Sequence, residues 1–327
     1  MNSREIVIRA IEFDGPERVP LYSFLEDTDV VDLPLLISDP VTGWDYATCR
    51  AGEDEWGCYW TTMERTMGQV TGHPLSDRRK LETYEFPDPY ADRRFSLAKE
   101  KKRRVSGEER YLMGWVPFTL FERMHFLRGF RNLLVDLHVN KDKVLLLADK
   151  VLSVQIELVK QWAELGVDGV GFTDDWGGQE GLFIPPKLFR EIFKPRYRRL
   201  FDAVHRRGMH AFLHSDGQIR EIIPDFIEIG LDVINVQQPR LLGIDDLGRD
   251  FGGRICFCSL VDNQTTLIYG AREEIRREAR HLVEALGRFN GGLIAGWLDE
   301  CDVRALGIPM DNIRIMCDAF REFGKYR

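Results

Sequence analysis

The stretch Met209-His210-Ala211-Phe212-Leu213-His214-Ser215-Asp216-Gly217 sets the reading of the whole chain. An apolar run ending in a histidine, a small polar residue, an aspartate and a glycine predicts a buried strand that delivers two chemically capable side chains to a turn. The same rhythm continues on both sides. Upstream, residues 142–165 place Val144, Leu147, Val151, Val154 and Leu158 at helical spacing, and Gly166 stops the helix. Residues 167–173 then read as a strand running into Asp174-Asp175-Trp176-Gly177-Gly178. A helix over 186–207, with Pro195 inside it, leads back to the strand 211–214.

Downstream the pattern gives helix 219–229, strands 233–236 and 255–261, helix 272–289, strand 292–296 and a terminal helix 312–323. Near the start, 2–12 is a short amphipathic helix suited to closing one end of a core, and 18–24 and 111–118 are further strands. Strand, loop and helix at this spacing imply parallel strands joined by crossover helices. The number of repeats favours an α/β fold closed as a (β/α)8 TIM barrel over an open doubly wound sheet. One domain over 1–327 is expected, interrupted by an irregular insertion at about 39–110. Segments of that length are lids, binding loops or small subdomains. Its Trp56 and Trp60 either stack on a flat ligand or pack the segment down, and its basic run 99–104 reads as a solvated helix end.

With 44% hydrophobic residues the 327-residue chain can bury a large core without disulfides. Its net charge of -8, with basic residues interleaved among acidic ones, argues against nucleic acid or a membrane as partner. No stretch has the roughly 18 consecutive apolar residues of a membrane span. The six cysteines lack any CxxC pair or framework spacing, which suits a cytoplasmic protein. Cys256 and Cys258, inside an apolar strand, read as core thiols.

In a barrel the working residues sit where strands end. Those ends carry Asp174 and Asp175, His214 and Asp216, Asn235 with Gln237 and Gln238, Asp262 with Asn263 and Gln264, and the segment 297–301. His214 and Asp216 alternate, so both face one side; with Cys301 they suit a divalent metal, and without it a hydrogen-bonded pair. Of Asp174 and Asp175, one is expected to face the cavity as acid, base or ligand, the alternative being a helix cap. The chain has no GxGxxG, phosphate loop, Gly-x-Ser-x-Gly or His-Glu-x-x-His motif.

Assembled, these residues resemble the uroporphyrinogen decarboxylase-like superfamily over nearly the whole chain. The resemblance rests on the opening Arg9-Ala10-Ile11-Glu12-Phe13-Asp14-Gly15-Pro16-Glu17-Arg18-Val19-Pro20, on Asp174-Asp175-Trp176-Gly177, on Phe193-Lys194-Pro195, on His214-Ser215-Asp216-Gly217 and on Pro309-Met310-Asp311-Asn312-Ile313. It implies a TIM barrel and either decarboxylation or methyl transfer. The Arg-Gln-Ala-Gly-Arg motif of the decarboxylases is missing here. Asp54-Glu55-Trp56-Gly57, His73-Pro74-Leu75 and the Asp-Asp-Trp-Gly motif look more like the branch that demethylates methoxylated aromatics.

That branch implies a zinc-type metal held by His214 and Cys301, with Asp216 standing where the family has a cysteine. It also implies a corrinoid carried by a partner protein and a small-molecule methyl donor; from their places in the insertion and at the strand ends, Trp56, Trp176, Asn235 and Gln238 are the expected substrate contacts. His214 and Asp174 or Asp175 are the expected catalytic residues. A metal-free decarboxylase or lyase and a non-catalytic ligand-binding barrel are the alternatives, and a homodimer is left open.

Overall fold

The computed structural model describes residues 1–25, 27–63, 66–298 and 300–326. Eight parallel strands run through its centre: β1 (Leu21–Tyr22), β2 (Val30–Leu33), β3 (Tyr111–Val116), β4 (Gly169–Thr173), β5 (His210–His214), β6 (Val233–Val236), β7 (Cys256–Ser259) and β8 (Leu293–Gly296). From β2 to β8 each strand pairs with its neighbour in chain order, and β8 returns to pair with β1. The fold is a TIM barrel. At the seam between β1 and β2, Asp29 stands in for a ladder: its N–H donates to the Leu21 carbonyl at 2.8 Å and its carboxylate accepts the Leu21 N–H at 2.7 Å.

Strand alternation sorts the side chains into two cores. Tyr22, Val30, Tyr111, Met113, Phe212, Val233, Cys256, Cys258 and Ile294 fill the barrel, and Val7 and Ile11 of the helix Ser3–Glu12 plug its lower end. The intervening positions, such as Val170, Leu213 and Ile234, face outward and pack with the helices. Burial pushes the Cys256 and Cys258 thiols up, in keeping with core positions.

Three elements differ from expectation. The strand β2 falls outside every sequence-predicted strand, being four residues long and bounded by Pro34. The helix expected over 186–207 is broken into Pro186–Leu188, a π-turn Phe189–Phe193 and Lys194–His205. Pro195 has no N–H to give, and the Lys194 N–H reaches back five residues to the Phe189 carbonyl, which widens the turn. The insertion is ordered: Gly52–Glu53, Tyr59–Thr61 and Gln69–Gly72 form an antiparallel sheet, followed by the helix Ser96–Arg104.

That sheet is tied to the helix Leu120–Arg128 by an ion pair sealed from solvent, Arg123 Nη1 to Asp54 Oδ2 at 2.6 Å. The guanidinium also lies over the rings of Trp56, Phe118 and Phe126, at 4.9, 5.3 and 5.7 Å. Trp60 stacks on Trp44 at 4.3 Å and donates its indole N–H to Asp54. Trp56 and Trp60 are therefore packing residues, 5% and 1% exposed, and Trp56 is not placed to stack on a substrate.

Candidate active site at the barrel mouth

The loops after β4 and β5 are stitched into one unit. The Asp174 N–H donates to the His214 carbonyl at 3.0 Å, the Trp176 N–H to Ser215 Oγ at 3.1 Å, the Asp216 N–H to Asp175 Oδ1 at 2.8 Å and the Gln218 N–H to the Gly178 carbonyl at 2.8 Å. Gly217 makes this approach possible. It sits at φ +80°, and a Cβ there would lie 2.1 Å from the Gly177 carbonyl oxygen. The two sequence motifs thus act as a pair, each supplying the other's hydrogen-bond partners.

The adjacent aspartates divide. Asp174 is fully buried on the outer side of the barrel wall, accepting the N–H groups of Phe121 at 2.8 Å and Glu122 at 2.7 Å and the hydroxyl of Tyr197. It caps the start of the helix Leu120–Arg128, where the helix dipole favours a carboxylate. Burial nonetheless pushes its pKa up to about 7. Asp175 faces the mouth with its side chain 42% exposed, 3.8 Å from His214 Nε2. Behind both, the buried Glu122 carboxyl is held well above the usual carboxylate range by burial and by the charges of Asp175 and Asp174.

His214 points into the barrel. Its Nδ1 donates to Asn235 Oδ1 at 2.6 Å, because the Asn235 amide is oriented by its own donation to the Cys258 carbonyl at 2.9 Å. That leaves Nε2 toward the mouth. Burial pulls the His214 pKa down, but Asp216, Asp175, the Asn235 hydrogen bond and Asp302 together outweigh it, and the net shift is upward. Asp216 is pushed up to about 6 by burial, although His214 opposes the shift. Its Oδ1 is sealed from solvent and has no hydrogen-bond partner.

An aromatic floor lies beside the histidine and was not anticipated. Trp297 packs on the His214 ring at 4.9 Å and stacks on Trp115 at 4.7 Å. The Trp115 indole donates to Asp32 Oδ1 at 2.6 Å, and the Tyr22 hydroxyl donates to the same oxygen. Gly171 leaves room for Trp115, since a Cβ there would lie 2.5 Å from its ring. The alternation Tyr111-x-Met113-x-Trp115 was the available signal for an inward Trp115; Trp297, in the left-handed region at φ 62°, carried none.

Three expected substrate contacts at the strand ends have other occupations. Trp176 has no exposed surface: it is enclosed by Phe121, Phe189 and Phe193 and donates to the Tyr197 hydroxyl. Asn235, 2% exposed, is consumed by His214 and Cys258. Gln238, 8% exposed, accepts from Gln179 at 2.9 Å. Within the expected cluster 297–301, Asp299 lies outside the described residues.

His214, Asp216 and Cys301 do not come together as a metal centre. Among the described residues, no three His, Cys, Asp or Glu side chains are grouped so as to hold a metal ion. Cys301 Sγ lies 3.9 Å from the Tyr46 carbonyl oxygen and 3.4 Å from Arg304 Nη2, so a guanidinium takes the place a cation would need. A zinc-type ion does not fit this donor set.

The geometry can be set beside known proteins. A family model described as uroporphyrinogen decarboxylase (URO-D) matches residues 55–323. Among solved structures, a methyltransferase from Methanosarcina mazei is similar with a TM-score of 0.76 at 17% identity, covering 99% of each chain. A D-psicose 3-epimerase from Clostridium cellulolyticum H10 is similar with a TM-score of 0.46 at 12% identity, covering 75% of this chain and 85% of its own. No curated protein matches the chain. Among the described residues, no helix is long and apolar enough to cross a membrane.

Proposed function

The chain belongs to the uroporphyrinogen decarboxylase (URO-D) family, and from that premise we propose that it is a methyltransferase taking a methyl group from a small neutral or cationic donor, a methoxylated aromatic or a methylated amine. One observation carries the reading. Asp175 and Asp216 lie beside His214, and in the three residues that follow each of the eight barrel strands the sequence has no Lys or Arg. A substrate bearing several carboxylates would meet repulsion from these aspartates with no Lys or Arg at the strand ends to offset it. This disfavours decarboxylation of a polycarboxylate and favours a donor whose heteroatom needs a proton in order to leave.

His214 is the group that supplies that proton. Asn235 holds Nδ1, Asp216 and Asp175 favour the protonated ring, and Nε2 faces the mouth. The C–O or C–N electron pair leaves with the heteroatom, which takes the His214 proton. The acceptor supplies the electron pair of the new bond to carbon, and the cobalt of a corrinoid carried by a partner protein is the acceptor proposed. The stacked faces of Trp115 and Trp297 provide an apolar wall beside the reacting group. No step passes through a metal on this chain.

Methyl transfer to reduced cobalamin, followed by absorbance across a panel of methoxylated aromatics and methylamines, tests the proposal. Transfer from at least one donor is expected, with His214→Gln slower by about 100-fold or more. No transfer from any donor, together with carbon dioxide release from a carboxylated substrate, would overturn it.

A further inference from the structure

The cysteine expected at the metal site shares its neighbours with a second cysteine instead. Cys301, in the helix Glu300–Leu306 that follows β8, shares two neighbours with Cys49 of the insertion. Both sulfurs lie 3.9 Å from the Tyr46 carbonyl oxygen. Arg304 Nη2 donates to both, at 3.6 Å to Cys49 Sγ and 3.4 Å to Cys301 Sγ, and it is fixed by a third bond at 3.0 Å to the Ala47 carbonyl. The two thiols are thus gathered on one carbonyl and one guanidinium nitrogen.

The turn that presents Cys49 is rigid. Asp45 and Arg50 pair through both backbone hydrogen bonds at 3.0 Å, and the Asp45 carboxylate takes the Ala47 N–H at 3.0 Å and the Thr48 hydroxyl at 2.6 Å. Cys49 itself sits in the left-handed region at φ 55°, an uncommon conformation for a residue with a side chain. Both thiols are partly exposed, whereas Cys58, Cys256, Cys258 and Cys317 are buried. Burial pushes the Cys58 thiol up to about 12 and the Cys317 thiol up to about 11, so these are poor partners for exchange.

We propose that Cys49 and Cys301 form a reversible disulfide clasp that fastens the insertion to the lip of the barrel, with a small-molecule disulfide as oxidant. One thiolate attacks the oxidant, forming a mixed disulfide and releasing one thiolate; the second cysteine attacks that bond and releases the other. Two protein thiols are oxidised, one disulfide is reduced to two thiols, and the protons pass to the released thiolates. Exchange runs through thiolates, and Arg304 holds a positive charge against both sulfurs. Once closed, the bond ties the turn 45–50 to the helix Glu300–Leu306, a few residues after the Trp297 that packs on His214.

The native protein is incubated with oxidised glutathione in the presence of EDTA and its intact mass measured. The expected product has lost two hydrogens and carries no glutathione. A non-reducing peptide map joins the Cys49 and Cys301 peptides, and dithiothreitol reverses the change. Cys49→Ser and Cys301→Ser each retain one glutathione on the remaining cysteine, with near-ultraviolet circular dichroism confirming that they are folded. Arg304→Gln slows clasp formation at pH 7 several-fold. Two retained glutathiones on the wild type, no reaction, or a cross-link through any other cysteine would each overturn the clasp.

Discussion

His214 and Asp216 make opposite demands on the chain, and both can be measured. The histidine carries its proton above the ordinary histidine range because the field of Asp216 and Asp175 outweighs its burial. A proton donor of this kind loses activity as pH rises through its raised pKa, above roughly 6.5. The pH profile of kcat/KM is therefore expected to fall on its alkaline side, and a donor-competent variant lacking His214 should show no such limb. Asp216 holds its proton to about pH 6 in the folded chain, while an unfolded aspartate releases it near pH ~4. Between those limits the unfolded state binds fewer protons, so stability falls as pH rises. Asp216→Asn removes that fall. Its advantage over wild type should grow from about pH 4 to pH 6 and then level off. With no carboxylate left to ionise in the interior, it should be worth about 1 kcal/mol or more in urea unfolding at pH 8. The same variant should lose activity, since a site held at a cost in stability is one that function maintains. A less stable Asp216→Asn at pH 8 would show that the carboxylate is structural.

At the scale of elements, the site depends on the helix Leu120–Arg128 more than on any strand. Asp174 caps its start, Glu122 lies behind Asp175, and Arg123 reaches from it into the insertion sheet. Removing one partner of a fully buried ion pair leaves the other charge unpaired in a low-dielectric interior. Arg123→Ala should cost about 3–5 kcal/mol, and limited proteolysis should then cut first within 39–110. Cleavage no faster than in wild type would mean that the aromatic packing of Trp44, Trp60 and Phe118 alone holds the insertion. The loop pair after β4 and β5 follows the same logic. It was visible in the sequence as two motifs, Asp-Asp-Trp-Gly and His-Ser-Asp-Gly, but that each satisfies the other's backbone emerges only when two strands 41 positions apart, Gly169 with His210, are set side by side.

At the scale of the molecule, closure of the barrel depends on Asp29. It binds Arg18 through both carboxylate oxygens, at 2.6 and 2.7 Å, accepts the Ser3 hydroxyl at 2.6 Å, and bridges β1 to β2 through Leu21. Asp29→Ala should destabilise the fold by ~2–4 kcal/mol, with the earliest amide exchange at the β1–β2 seam. Protection there equal to that of wild type would show that the ladder partners on either side suffice. The clasp of Cys49 and Cys301 acts at the same scale, joining two regions that only the closed barrel brings together. What the sequence determined by itself is everything that repeats with a local period: seven of the eight strands, the long helix stopped by Gly166, the solvated basic end of Ser96–Arg104, and His214 with Asp216 at the end of a buried strand. Those features follow from neighbouring residues, because alternation and helical spacing are properties of the local backbone. The tertiary structure alone decided which way each polar residue turned. Asp174 went to a helix cap, Asn235 to the histidine, Trp176 to the core and Cys301 to the Tyr46 carbonyl. Each choice is set by a partner 21 to more than 250 positions away, and local spacing carries no information about such a partner until the sheet has closed.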